Sequence, residues 1–546
     1  MQSISSIRTG ADILRVLAPT VLTLVLASPS PASAQAYDRD ARVPRHGSLW
    51  IEFAPSWEIW SEQFGEGGDG NSRQPLHIDY DGPIAGRLFP GLDPLLADLN
   101  RDALALGYDS LAAADVSLGN TVYGAITRDV RTVPLGLSFG LFGRVALDFS
   151  IPLVRGTVET SFAFDSTDAG FVPSSTVFPA PDAYFGSFDA ARSDLETLVQ
   201  GGTLTPEQEA AAVELLNASG AYRDALSYRV EGDGLLPVAG SDAGVGMTGR
   251  YADLSSGYQE FGLELPAFSL PDSAQSDDFQ HILGGSPIGL DSLQTTVRGW
   301  APAEIDVGLR VLLLDTFEPV VPVNEDRFRA TREPDLRGKG TRFRTTAGAR
   351  LRLPLGDPDA DPYLVPSSPL QQPIGAGQTD VELGLWQDVQ FGRWLWVVSS
   401  LRYVLQLEDE LVMRVRSAGT PFAYASQERT VSRDLGDIFE LRLSPRFRLN
   451  ETLSLGIEYR WRSKGEDVYS GEGTPDPAPL GAGTSQTRHR LGIGGWYRTT
   501  PRYLAGIANF PVELSLVWQG SIAGGGGMTP ASDIVTFSLR VPLQLF

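Results

Sequence analysis

The strongest constraint on this chain is a two-residue rhythm that runs from Ile438 toward its C-terminus. Phe439, Leu441, Leu443, Phe447 and Leu449 fall on one parity, and Glu440, Arg442, Ser444, Arg446 and Arg448 on the other. After Asn450-Glu451-Thr452 the rhythm resumes, setting Leu453, Leu455, Ile457, Tyr459 and Trp461 against Ser454, Gly456, Glu458, Arg460 and Arg462. Successive side chains of a strand point to opposite faces, so these strands have one greasy face and one arginine-rich face. A soluble sheet turns the greasy face inward; a membrane barrel turns it outward.

Features at the two termini favour the barrel. Arg8 and Arg15, the apolar stretches Val16-Leu17 and 21–26, and Ala32-Ser33-Ala34 read as a cleaved secretory signal over residues 1–34. The final strand closes on the aromatic Phe546, although Phe537, Leu539, Val541, Leu543 and Leu545 occupy the opposite parity, which calls for an offset or a bend at Pro542. Beyond the signal no apolar run is long enough for a spanning helix, so a membrane crossing has to be a closed barrel without edges. With no cysteine, thiol catalysis, thiolate metal sites and disulfides are excluded, and the net charge of −23 argues against a nucleic-acid partner.

Alternating segments recur at 48–60, 120–142, 144–157, 303–315, 341–355, 379–391, 394–408, 437–449, 452–465, 486–498, 510–521 and 532–546. They predict an all-β fold, an antiparallel transmembrane barrel of about 12 strands, with 14 as the alternative, over residues 35–546. Tight turns at Phe142-Gly143, Gly392-Arg393 and Asn450-Glu451 alternate with long segments, as in outer-membrane barrels. The connection 316–340 is longer than its place in that alternation predicts. The longest insertions, 61–119 and 158–302, carry helical signals of their own. Asp93-Pro94 starts one helix that Gly107 ends, Thr205-Pro206-Glu207-Gln208 is a capping-box start for another, and a helical stretch near 190–199 precedes it. They could cap the mouth, plug the lumen or lie outside.

The polar parity forms the candidate lumen. Arg342, Arg344, Arg350 and Arg352 share one face, flanked by Glu304 and Asp306 on one neighbour and Asp380, Glu382 and Asp388 on the other, an arrangement that invites cross-strand ion pairs. Arg442, Arg446, Arg448, Arg460, Arg462, Arg488 and Arg490 have the least nearby carboxylate, and are the candidate anion contacts, since rings of arginine select anions. Trp57, Trp60, Trp394, Trp396, Trp461, Trp496 and Trp518 near strand ends read as an interfacial girdle. Asp357, Asp359 and Asp361 form an acidic loop without the glycine and distal glutamate of a calcium loop. The four histidines show no metal-ligand spacing, and no enzyme, metal or cofactor is expected.

The run Val133-Pro134-Leu135-Gly136-Leu137-Ser138-Phe139-Gly140-Leu141 into Val145-Ala146-Leu147-Asp148-Phe149-Ser150-Ile151-Pro152-Leu153 resembles the outer-membrane phenol meta-pathway family of transporter-like proteins. Ile305-Asp306-Val307-Gly308-Leu309-Arg310 and Asp380-Val381-Glu382-Leu383-Gly384-Leu385 extend the resemblance. It implies passage of small, aromatic molecules across the outer membrane and supplies no site residues. The expected function is an outer-membrane channel or uptake porin for small solutes, anionic or aromatic. The expected partners are outer-membrane lipid and lipopolysaccharide, the solute and the barrel-assembly machinery. A non-conducting surface barrel whose loops bind a partner, and a transporter of hydrophobic solutes, are the alternatives.

Overall fold

The structure, a computed structural model, describes residues 40–65, 72–77, 82–83, 93–112, 115–231, 234–275, 295–317, 340–356, 370, 374–375, 377–415, 428–473, 476–504, 506–526 and 529–545. The signal region, most of 316–340, the acidic loop at Asp357, Asp359 and Asp361, and Phe546 lie outside the described residues. Pairing follows the two-residue rhythm. The wall is made of β1 (Ser48–Phe53), β2 (Ser56–Trp60), β3 (Leu118–Phe142), β4 (Val145–Ala169), β5 (Thr296–Pro302), β6 (Glu304–Asp315), β7 (Thr341–Pro354), β8 (Asp380–Phe391), β9 (Leu395–Gln406), β10 (Ile438–Arg448), β11 (Leu453–Lys464), β12 (Gln486–Arg498), β13 (Glu513–Gly525) and β14 (Asp533–Gln544). β1 with β2, and β5 with β6, are broken halves of single staves, so the sheet is a 12-strand antiparallel barrel with two extra pieces. β14 closes it on β1 in unbroken register from Ser48↔Gln544 to Phe53↔Leu539. Pro542 pairs with Trp50 within that register, so no bulge interrupts β14 there.

The parity settles which face is which. Leu441, Leu443, Phe447, Leu455, Ile457, Leu491, Ile493, Leu516 and Trp518 are exposed on the outside, while Glu440, Arg442, Arg446, Arg448, Glu458 and Arg490 are buried inside. An exposed apolar belt around a closed barrel is the surface that hydrocarbon covers.

At 25 residues each, β3 and β4 far exceed the roughly 9–11 residues that cross a bilayer. β4 runs to Ala169 rather than to 157, so the insertion begins later than the sequence suggests. The distal hairpin carries a helical cap of α1 (Asp93–Asn100), α2 (Ala103–Leu106), α3 (Pro181–Gln200), α4 (Pro206–Glu231) and α5 (Asp242–Glu260). The capping box is made, with Gln208 N donating to Thr205 Oγ1 and Thr205 N to Gln208 Oε1. The cap core joins Leu99, Leu106, Phe188, Tyr222, Met247 and Leu254 to the inward-facing Trp60, Ile126, Val130 and Val158 at the upper rim of the wall. Of the placements open to the sequence, the helices therefore cover the mouth.

Helix α5 has no counterpart in the sequence reading, because its glycines mimic a loop. Gly246 shows their use: an added Cβ would meet Gly107 O at 2.4 Å, so glycine lets α5 seat against the turn after α2.

In the cap, burial pushes the Tyr184, Tyr222, Tyr251 and Tyr258 hydroxyls above the ordinary tyrosine range. The Tyr222 hydroxyl is fully buried with no hydrogen-bond partner among the described residues, whereas Tyr258 shares a 2.9 Å bond with Ser219. Tyr222→Phe is expected to stabilise the cap by about 1 kcal/mol, and Tyr258→Phe to destabilise it by a similar amount. Thermal unfolding followed at the helical 222 nm band separates the two.

Candidate functional site

Inward-facing side chains fill the barrel with ion pairs. On the wall of β6, β7 and β8, Arg352 lies 3.1 Å from Glu304 and Asp306, 3.3 Å from Asp380 and 3.8 Å from Glu382. Arg350 lies 3.6 Å from Asp306 and 3.5 Å from Glu382. Arg344 is 3.4 Å from Asp315 and 3.9 Å from Asp388, and its guanidinium stacks 4.5 Å over Phe317. Arg342 sits near the short-turn end of β7, in register with Gln390. The ion-pair set read from the sequence is therefore brought together, Arg342 standing at its margin.

The anion-contact candidates divide into two groups. Arg442 pairs with Glu458 at 2.6 Å, and Arg460 lies 3.5 Å from Glu458 and 3.8 Å from Glu440. Arg488 reaches Glu58 at 3.0 Å, and Arg490 pairs with the same carboxylate, which also accepts from Ser532 Oγ at 2.6 Å. Arg462 joins Arg460, Arg488, Arg490 and Glu440 around one small cavity. The cluster expected to have the least nearby carboxylate has Glu440 and Glu458 beside it and gains Glu58 from the first stave of the wall.

Arg446 and Arg448 lie lower, near the short turns. Arg446 is held between Trp496 at 4.1 Å and Trp396 at 5.5 Å, and Arg498 lies 5.2 Å from Trp396. Trp396 is only 5% exposed, so Trp396 and Trp496 belong to the lumen and not to the interfacial girdle. Trp60 likewise faces inward, into the cap core, while Trp394 and Trp518 remain outside. Stacking suits arginine's flat, weakly hydrated cation and helps hold it in place.

The element that spans the lumen carries no local sequence signal. Residues 40–46 run inside the barrel before β1 begins. Ala41 N donates to Asp388 Oδ1 at 3.2 Å, and Ala41 O accepts from Thr346 Oγ1 at 2.6 Å. Arg310 Nη1 donates to Arg42 O at 3.1 Å while its own side chain pairs with Asp148 at 2.6 Å. On the opposite wall Arg42 forms a bidentate pair with Glu513 at 2.7 and 2.6 Å, and Arg540 links Asp40, Glu52 and Glu513. This strap leaves the lumen past Gly140, where a Cβ would stand 1.7 Å from Arg45 O. Between strap and wall lies a cavity of about 70 Å³ lined by Arg42, Trp396, Arg446, Arg448, Trp496 and Arg498, among others.

No protein-family profile matches the chain, and no curated protein matches it. Among solved structures it is similar to the COG4313 outer membrane channel from Pseudomonas putida F1, at 9% identity and a TM-score of 0.40, over 94% of this chain and 100% of that one. A Pseudomonas aeruginosa FadL homologue aligns at 8% identity and a TM-score of 0.25, over 92% and 91% of the two chains. The CymD monoaromatic hydrocarbon channel aligns at 9% and 0.25, over 92% and 89%. At such TM-scores these likenesses carry no argument, and the barrel rests on its own strand pairing.

Proposed function

We propose that this protein is an outer-membrane channel for small solutes, shut in this conformation by its N-terminal strap and helical cap. The observation that carries the reading is the lumen itself. A barrel serving only as a scaffold gains nothing from filling its interior with buried ion pairs, because apolar side chains of similar volume are as stable or more so. A charged, hydratable lining crossed by a short strap suits a conduit that opens when the strap leaves. On this reading the chain is exported by a cleaved signal over residues 1–34, assembled by the barrel-assembly machinery, and surrounded by outer-membrane lipid and lipopolysaccharide.

Around the lower cavity five arginines stand against the four carboxylates of Asp40, Glu52, Glu451 and Glu513, and Arg446 and Arg498 stack on two indoles, which supports a preference for anionic, aromatic solutes. A second reading, transport of an apolar solute through the cap, draws on the ring cluster of Phe178, Tyr184, Phe185, Tyr222, Tyr251 and Phe268, with centroids as close as 4.8 Å. Planar-bilayer recording in a salt gradient tests the channel reading. Openings with an anion-selective reversal potential are expected, and neutralising Arg446, Arg460 and Arg490 together should bring that potential toward zero. A reversal potential that ignores the triple change removes the anion preference. A folded chain silent both with and without the strap removes the channel.

A further inference from the structure

The barrel wall meets residues 40–42 as a receptor meets a short peptide. Side chains of three strands take successive backbone groups. Ala41 N donates to Asp388 on β8, Ala41 O accepts from Thr346 on β7, and Arg42 O accepts from Arg310 on β6. The opposite wall takes the side chains. Glu513 holds the Arg42 guanidinium in a fork of two bonds at 2.7 and 2.6 Å, and the Trp50 ring lies 5.7 Å from the same group. Arg540 reaches Asp40 at 3.4 Å, and Asp40 pairs back onto Arg42 at 2.6 Å. Between them Ala41 is fully buried, so only a small side chain fits there. The wall groups also have partners within the wall: Asp148 holds Arg310 at 2.6 Å, and Arg540 lies 3.2 Å from Glu513. Their placement is thus set by the barrel as well as by the strap, and a site preorganised in this way binds at low cost.

We propose that this stretch of the lumen is a binding site for short arginine-bearing peptides of the pattern acid–small–arginine, with residues 40–42 its resident occupant. The wall offers donors in Arg310, Thr346 and Arg540, and acceptors in Asp388 and Glu513. A simple anion leaves the acceptors unused and a simple cation the donors, whereas a peptide unit with its side chains engages both sets. The carboxylate fork beside an indole suits a planar guanidinium better than the point charge of an ammonium. Backbone contacts hold any sequence alike, so selection falls to the Glu513 fork and to the tight space at Ala41. The proposal names a solute class for the channel and rests on that reading in one respect, that the strap leaves the lumen.

The test uses the full chain in detergent carrying Arg42→Ala, which cuts the fork, and a fluorescent peptide of residues 40–46. Anisotropy is expected to show saturable binding. The unaltered chain, whose tethered strap competes, should bind the peptide about ten-fold more weakly. Changes made in the peptide leave the protein untouched: Arg42→Gln there should weaken binding by about ten-fold or more, and Arg42→Lys or Ala41→Leu several-fold. Glu513→Gln in the protein should erase the preference for arginine over glutamine. Absence of binding, or equal binding of the peptide and its Arg42→Gln form, overturns the site. Equal binding of the arginine and lysine forms overturns its choice of guanidinium. Should Arg42→Ala fail to fold, the unaltered chain at higher peptide concentration carries the same comparisons. A barrel that binds the peptide yet stays silent without its strap keeps the site and loses the channel. A conducting barrel that ignores the peptide does the reverse.

Discussion

Deleting residues 40–46 is expected to convert a nearly silent barrel into a steadily conducting one, with current rising by on the order of ten-fold or more at the same voltage. The strap crosses from the wall of β6, β7 and β8, where it meets Arg310, Thr346 and Asp388, to Glu513 and Arg540 on the other side. An ion entering there meets protein instead of water. The deletion should also leave a folded barrel, because each charged wall group keeps a wall partner, while the Thr346 hydroxyl gives up its bond to Ala41 O. Arg310 retains Asp148, Asp388 retains Arg344, and Glu513 and Arg540 retain each other, with Arg540 also holding Glu52. Closure of the sheet begins after the deleted residues, at Gly47 and Ser48. Arg42→Ala, which cuts the bidentate anchor but keeps the strap, should give brief openings instead of steady current. Single-channel recording of the three forms, with folding checked by resistance to unheated detergent, reads the result. A folded deletion variant as quiet as the parent would show that the block lies elsewhere, in the cap or the ion-pair network.

The wall was legible because lipid imposes period two wherever a strand is in contact with hydrocarbon. The segments expected at 341–355 and 437–449 appear as Thr341–Pro354 and Ile438–Arg448. The rule lapses where lipid ends: the distal half of β4 lies beyond the bilayer under the cap and loses its clean alternation, so its sequence looks like loop. Trp396 lies near a strand end, as a girdle tryptophan does, but it shares its parity with the lumenal Ser400 and Arg402. Helix α5 was hidden by glycines chosen for close packing and not for turns. The strap and Glu58 were beyond any local reading. Ala41 meets a residue 347 positions away and Glu58 one 432 positions away, and only closure of the barrel brings them together.

Glu58→Gln is expected to cost roughly 3–5 kcal/mol of folding free energy, the usual consequence of removing one partner from a buried ion pair. The carboxylate is 3% exposed and accepts from Arg488, Arg490 and Ser532. Glutamine keeps the shape but loses the charge, so Arg488 and Arg490, both on the inner face of β12, lose the counter-ion they share. At the exposed turn residue Glu451 the same exchange should stay within about 0.5 kcal/mol. Removing the opposing charge as well should recover part of the loss. In Glu58→Gln/Arg490→Gln one cation and its partner leave together, and coupling of this kind between contacting residues is measurable as non-additivity. Urea unfolding in lipid vesicles gives all the midpoints in one buffer. An unchanged midpoint would mean that this pair contributes nothing to the fold.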